Sequence, residues 1–110
     1  AVVRESGCWS LFDVNNVYVS SRNHGFDADA YLEAIDFSRV LEVHLAGHTR
    51  EPNGTLVDTH DHPVANPVWT LYARAWHMGG PFPTLLEWDA RIPPLPEVLV
   101  ELEKAREARR

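Results

Sequence analysis

Three short apolar runs, "CWSLFDV", "RVLEVHLAG" and "PTLLEWD", recur along the 110 residues, and each is followed, after a polar stretch, by residues with helical signals. That order constrains the fold more than any other feature of the chain. After the first run, "NNVYVSSRNHGFD" reads as a polar turn, and "DADAYLEAI" as a short helix capped by Asp27 or Asp29. After the second run and the polar stretch 49–65 comes "NPVWTLYARAWHMGG". There Asn66 is placed as N-cap, Pro67 at the first helical position, and Gly79 and Gly80 as the stop. Val68, Leu71, Tyr72 and Ala75 recur at the spacing of a single helical face. A last helix from about Pro94 sets Leu95, Val98, Leu99, Leu102 and Ala105 on one side. Strand–helix repeated three times is the signature of parallel β/α units. Nearly continuous apolar strands fit a parallel sheet covered on both faces. Trp69, Trp76 and Phe82 read as core, and Cys8 as a small buried hydrophobe.

Three such units are too few to close a β/α barrel, which typically takes about 250 residues. The chain opens "AVVRESG", with no initiating Met, and this start reads as the tail of a helix belonging to something longer. The expectation is an α/β chain of parallel β/α units, either a small open layer or, as the start of the chain favours, the last part of a barrel, with residues 1–110 a C-terminal fragment of one domain.

Charge and cysteine content narrow the function classes. A net charge of -6 argues against a nucleic-acid backbone or an anionic membrane as the main partner. The basic C-terminal "KAREARR" alternates with Glu and Ala and reads as a solvated helix end that complements the helix dipole. The single cysteine, Cys8, rules out an internal disulfide framework and fits a reducing, cytoplasmic setting. No apolar run approaches the roughly 20 residues of a membrane span.

The chemistry concentrates where the apolar runs end. Asp13 closes the first, His44 the second and Glu87 the third. In open α/β sheets and β/α barrels the active site lies at the carboxyl ends of the strands, so these three converge. Asn16, Asp58 and His60 follow in the adjoining loops. Asp13 and Asn16 have opposite strand parity and share a direction only if the strand gives way to a turn between them. Asp58 and His60 share a parity. A mixture of carboxylate, amide oxygen and imidazole suits Fe, Mn or Zn better than Ca or Mg. The absence of a thiolate cluster argues against a structural zinc site, and the number of candidates points to more than one ion. His48, at the end of a Gly-containing loop, is the candidate catalytic residue, acting on substrate or bracing a ligand. His62 and His24 read as surface or loop-bracing residues, and His77 as a helix-terminal imidazole.

The stretches "DVNNVYVS…NHGFD", "HLAGH", "DTHD.PV" with "VW.LY", and "EWD…IPPL" together resemble the multinuclear non-haem iron-dependent oxidative enzymes. This family, long catalogued as a domain of unknown function, includes the methanobactin-biosynthesis oxidase. The resemblance runs from about Cys8 to the last helix. It implies a TIM barrel of the xylose-isomerase-like kind, with the present strands as its sixth, seventh and eighth. It implies two or three Fe ions, with Mn or Zn as substitutes, and dioxygen-dependent modification of Cys-containing ribosomal precursor peptides. It also implies a separate peptide-presenting partner protein. By motif match, Asp13, Asn16, His44, Asp58, His60 and Glu87 fall on family metal ligands. His48 and His24 match recurrent residues, whereas His62 sits where the family varies. The family's remaining ligands, from earlier strands, have no counterpart here, so the metal site of this chain is partial. The competing readings are a divalent-metal sugar isomerase or phosphodiester hydrolase on the same barrel, and a non-catalytic metal-binding or interaction remnant.

Overall fold

The computed structural model describes residues 10–109, and Cys8 lies outside them. Strand β1 (Ser10–Asp13) runs directly into helix α1 (Val14–His24). A short helix α2 (Ala28–Glu33) and a 3-10 turn (Phe37–Arg39) lead to strand β2 (Val40–Leu45). A small hairpin of β3 (Thr49–Arg50) and β4 (Leu56–Val57) precedes helix α3 (Asn66–Gly79). Strand β5 (Thr84–Leu86) and helix α4 (Leu95–Ala108) complete the order.

Strands β1, β2 and β5 form a parallel sheet in that order, with Asp13 opposite His44 and His44 opposite Leu85. Phe12, Val43 and Leu45 point to the face covered by α1 and α3, where they meet Val14, Val17, Val68, Leu71, Tyr72 and Ala75. Val43 and Leu45 are fully shielded, and burial of such side chains contributes about 1.5–3 kcal/mol each. The opposite face carries Leu11, Glu42, His44 and Leu85, and Leu11 and Leu85 are exposed. Among the described residues, then, helices cover one sheet face, not two. β2 alternates buried and accessible positions after its start, as a half-covered strand does.

The segment expected to be a polar turn is instead an 11-residue helix, α1. Asp13 caps it by accepting a hydrogen bond from the Asn16 backbone N–H at 2.9 Å, and Val14 and Val17 bury against the sheet. Gly25, in the left-handed region at φ 74°, ends it. Asp27, not Asp29, caps α2, and Asp29 pairs with Arg74. On α3 the expected face is the buried one, although Ala65 occupies the cap and Asn66 begins the helix. Phe82 is buried, with Trp69 and Trp76 packed against the core.

Helix α4 departs from its expected orientation. Its buried residues are Glu101 and Ala105, while Leu95, Leu99 and Leu102 are exposed. Glu101 fixes this rotation by accepting hydrogen bonds from the Val64 backbone N–H (3.1 Å) and from Lys104 (2.7 Å). Ala105 is buried and Val98 half-buried as expected, so the inward side is turned toward Glu101 and not reversed. The basic terminus is also not simply solvated. Arg109 donates from Nε to the Tyr72 hydroxyl at 2.9 Å and lies 4.5 Å from the Trp76 ring centre. Among the described residues, no helix is long and apolar enough to cross a membrane.

Candidate metal centre

Because β1 passes into α1 without a loop, Asp13 is at once the last residue of a strand and the cap of a helix. Its carboxylate is thereby held at the carboxyl edge of the sheet. The next turn of α1 brings two more polar groups to the same edge. Asn16 is exposed, and its side-chain amide lies 3.4 Å from Asp58 Oδ2. Asn15 is completely buried. Its amide nitrogen donates to the Gly47 carbonyl at 3.1 Å and to Asp58 Oδ1, and its oxygen meets His48 Nδ1 at 2.8 Å.

The β2 edge supplies His44 and the loop 46–48. A Cβ at Gly47 would stand 1.9 Å from the His62 carbonyl oxygen. Glycine is required there for space, so that the 60–63 backbone can cross directly over it. Gly47 O then accepts from His60 N–H at 3.1 Å. The hairpin sets the position of Asp58, and Asn23 of α1 clamps it by exchanging two hydrogen bonds with the backbone of Leu56. Asp58 and His60 do meet, with Asp58 Oδ1 at 2.9 Å from His60 Nε2. They do so outside any strand, with His60 at φ 57°, so a loop conformation and not strand parity brings them together.

Glu87 follows β5, tied by its N–H to Leu45 O at 2.8 Å. It contacts His44 Nδ1, and its other oxygen lies 3.5 Å from His60 Nδ1. Asp89 reaches that same nitrogen at 2.9 Å. Two overlapping sets result, Asp13–Asp58–His60 and His60–Glu87–Asp89, each with its donor atoms within 4.8 Å of one another. His44 lies outside both sets but is joined to the second through Glu87, and it also contacts Glu42 at 2.5 Å. His48 lies outside both, stacked on Tyr18 with ring centres 5.4 Å apart. His62 contacts Asp61 and Thr49, and His24 and His77 are exposed.

The charges are arranged as a cation would need them. Burial pushes the Asp13 carboxyl above its usual range, and Asp58 and Glu87 push it further, against the Asn16 N–H and His60. Burial pulls His60 down, yet Asp58, the Asp89 hydrogen bond, Glu87 and Asp13 together carry it above the ordinary histidine value. His48 is lowered by burial, with Asp58 opposing and His62 assisting. Four carboxylates around His60 repel one another unless a proton or a metal ion neutralises them. A mixed oxygen and imidazole donor set of this size fits Fe, Mn or Zn.

Asn15 and Asp89 were absent from the sequence-derived candidates. Asp89 shares strand parity with Glu87 in "EWD", a signal that was available. Asn15 had none, because its burial depends on the helix that "NNVYVS" forms.

A family model described as "RiPP precursor modification enzyme MbnB/TglH/ChrH" matches residues 1–110. The chain belongs to the MbnB/TglH/ChrH family. Similar relatives of this MbnB/TglH/ChrH member carry the name UPF0276 protein. That of Rhizorhabdus wittichii is 51% identical over 107 residues, covering 97% of this chain and 38% of the relative. That of Caulobacter vibrioides is 50% identical over 101 residues, covering 92% and 36%. One from Pseudomonas aeruginosa is 46% identical over 110 residues, covering 100% and 39%. The chain therefore spans little more than a third of the length of the curated relatives it matches. The family description concerns enzymes that modify RiPP precursors.

Proposed function

We propose that this chain supplies part of the metal centre of an iron-dependent enzyme that oxidatively modifies cysteine-containing, ribosomally made peptides. In this reading residues 1–110 are the C-terminal portion of one TIM-barrel domain and provide its sixth to eighth strands. The observation that carries it is the position of His60, shared between the Asp13–Asp58 and Glu87–Asp89 pairs at the carboxyl edge of three adjacent parallel strands. The uncovered sheet face with Leu11, His44 and Leu85 supports the barrel, since that side is the one a barrel turns inward. Both outer strands of the sheet also have a free edge for further strands among the described residues.

Asp13, Asp58, His60 and Glu87 would hold the ions, with His44 and Asn16 completing the set from this chain. Two or three irons are proposed for the whole protein, with Mn or Zn as substitutes in binding to the same ligands. Bound iron would supply redox chemistry toward dioxygen. The residues of the chain itself hold carboxylates and imidazoles in register, and His48 meets the substrate. A separate partner protein would present the peptide, and the single cysteine fits work in the cytoplasm.

The test is metal analysis of protein isolated without oxygen, followed by oxygen uptake with a cysteine-containing peptide. Asp13→Ala and His44→Ala should each lower iron content, and uptake should require iron. Full iron content in both variants sinks the assignment, and turnover with Mg or Zn alone favours a hydrolase or isomerase.

A further inference from the structure

The buried amide of Asn15 decides more than local packing. Its nitrogen faces two obligate acceptors, the Gly47 carbonyl and the Asp58 carboxylate. Turning the amide over would set oxygen against oxygen at both contacts, so the orientation is fixed by chemistry. Both N–H groups are then spent, and Oδ1 is left facing His48 Nδ1 at 2.8 Å. An oxygen there accepts only if the ring nitrogen carries a proton. His48 therefore carries a proton on Nδ1, and because burial disfavours the charged ring, its Nε2 is left with the lone pair that a proton acceptor needs. The Tyr18 ring, stacked at 29° to the imidazole, restrains its plane.

We propose that Asn15 is a positioning residue that steadies Asp58 Oδ1 beside His60 and presents His48 with Nδ1 protonated and Nε2 able to take a proton from the substrate. In that transfer a substrate X–H bond breaks, an N–H bond forms at Nε2 to give the imidazolium, and the Nδ1 proton stays on Nδ1, hydrogen-bonded to Asn15 Oδ1. The proposal rests on the metal-centre reading for the purpose of Asp58, but the His48 form is a property of the metal-free protein.

Nitrogen-15 NMR of the His48 ring in the metal-free protein should show Nδ1 protonated and Nε2 not, and the reverse overturns the inference without touching the metal assignment. Asn15→Asp keeps the acceptor for His48 but loses both donors. Nδ1 should stay protonated there while affinity for Co(II), used as a spectroscopic stand-in, falls about 10–100-fold. Asn15→Leu removes both functions and should release His48 into a mixture of forms. A folded Asn15→Leu protein with an unchanged His48 signal overturns the proposal, as does wild-type Co(II) affinity in Asn15→Asp. Should Asn15→Leu fail to fold, the wild-type spectrum and Asn15→Asp still decide. Loss of Co(II) binding in Asp13→Ala tests the metal reading separately.

Discussion

Gly47→Ala is expected to destabilise the protein by about 3 kcal/mol, through a clash with the backbone that carries the candidate ligands. The added Cβ would sit 1.9 Å from His62 O, 2.4 Å from His62 C and 2.6 Å from Pro63 O. Ordinary contact begins near 3.4 Å, so the 62–63 backbone must retreat by about 1.5 Å. Overpacking in a tight site costs about 1–3 kcal/mol. The retreat also strains the His60 N–H to Gly47 O bond and the Asn15 amide bond to the same oxygen. Each such bond contributes roughly 0.5–1.5 kcal/mol net. Urea unfolding reads the loss. With a slope of about 1–1.5 kcal/mol/M for a small domain, the midpoint should drop by about 2–3 M. Gly54→Ala is the control, because nothing stands within 4 Å of its Cβ and only its φ of +90° opposes the change. That strain costs about 1 kcal/mol. A Gly47→Ala stability within about 0.5 kcal/mol of wild type, or a Gly54→Ala loss as large as that of Gly47→Ala, refutes the reasoning.

Glu101→Ala leaves the Val64 N–H without its acceptor and should cost about 1–3 kcal/mol in urea unfolding, whereas Glu101→Gln, which keeps an acceptor, should lose less than half as much; equal losses would contradict the role given to this carboxylate. In the metal-free protein the pKa values of both Asp13 and His60 are raised, so folding favours their protonated forms. Stability should fall as pH rises from the ordinary carboxylate range through the Asp13 value, and again above the ordinary histidine value through that of His60. Metal affinity should move the other way, rising over the same ranges with protons released on binding, as calorimetry in buffers of different ionisation enthalpy would record. Affinity that is flat across both ranges would show that these groups do not hold the ion.

The parallel β/α order, the buried face of α3 and the polar strand ends Asp13, His44 and Glu87 are legible in the amino-acid sequence alone. Each of these depends on short-range periodicity or on one residue at a strand terminus. Asp58 and His60 were legible only as ligand-type residues in the stretch after the second run, and the family likeness lay in contiguous motifs. Tertiary structure decided what depends on distant neighbours. "NNVYVSSRNH" is polar enough to read as a turn, and it becomes α1 because Asp13 caps it and the sheet takes up Val14 and Val17. The leucine side of α4 looked like its core face until Glu101 found the Val64 N–H, 37 residues away in sequence. Asn15 has no local mark of importance, since its three partners come from loops 32 to 43 residues further along. Periodicity can say which way a residue faces on its own element. Which groups then share a space is fixed by how the elements pack, and that holds His60 between Asp58 and Asp89.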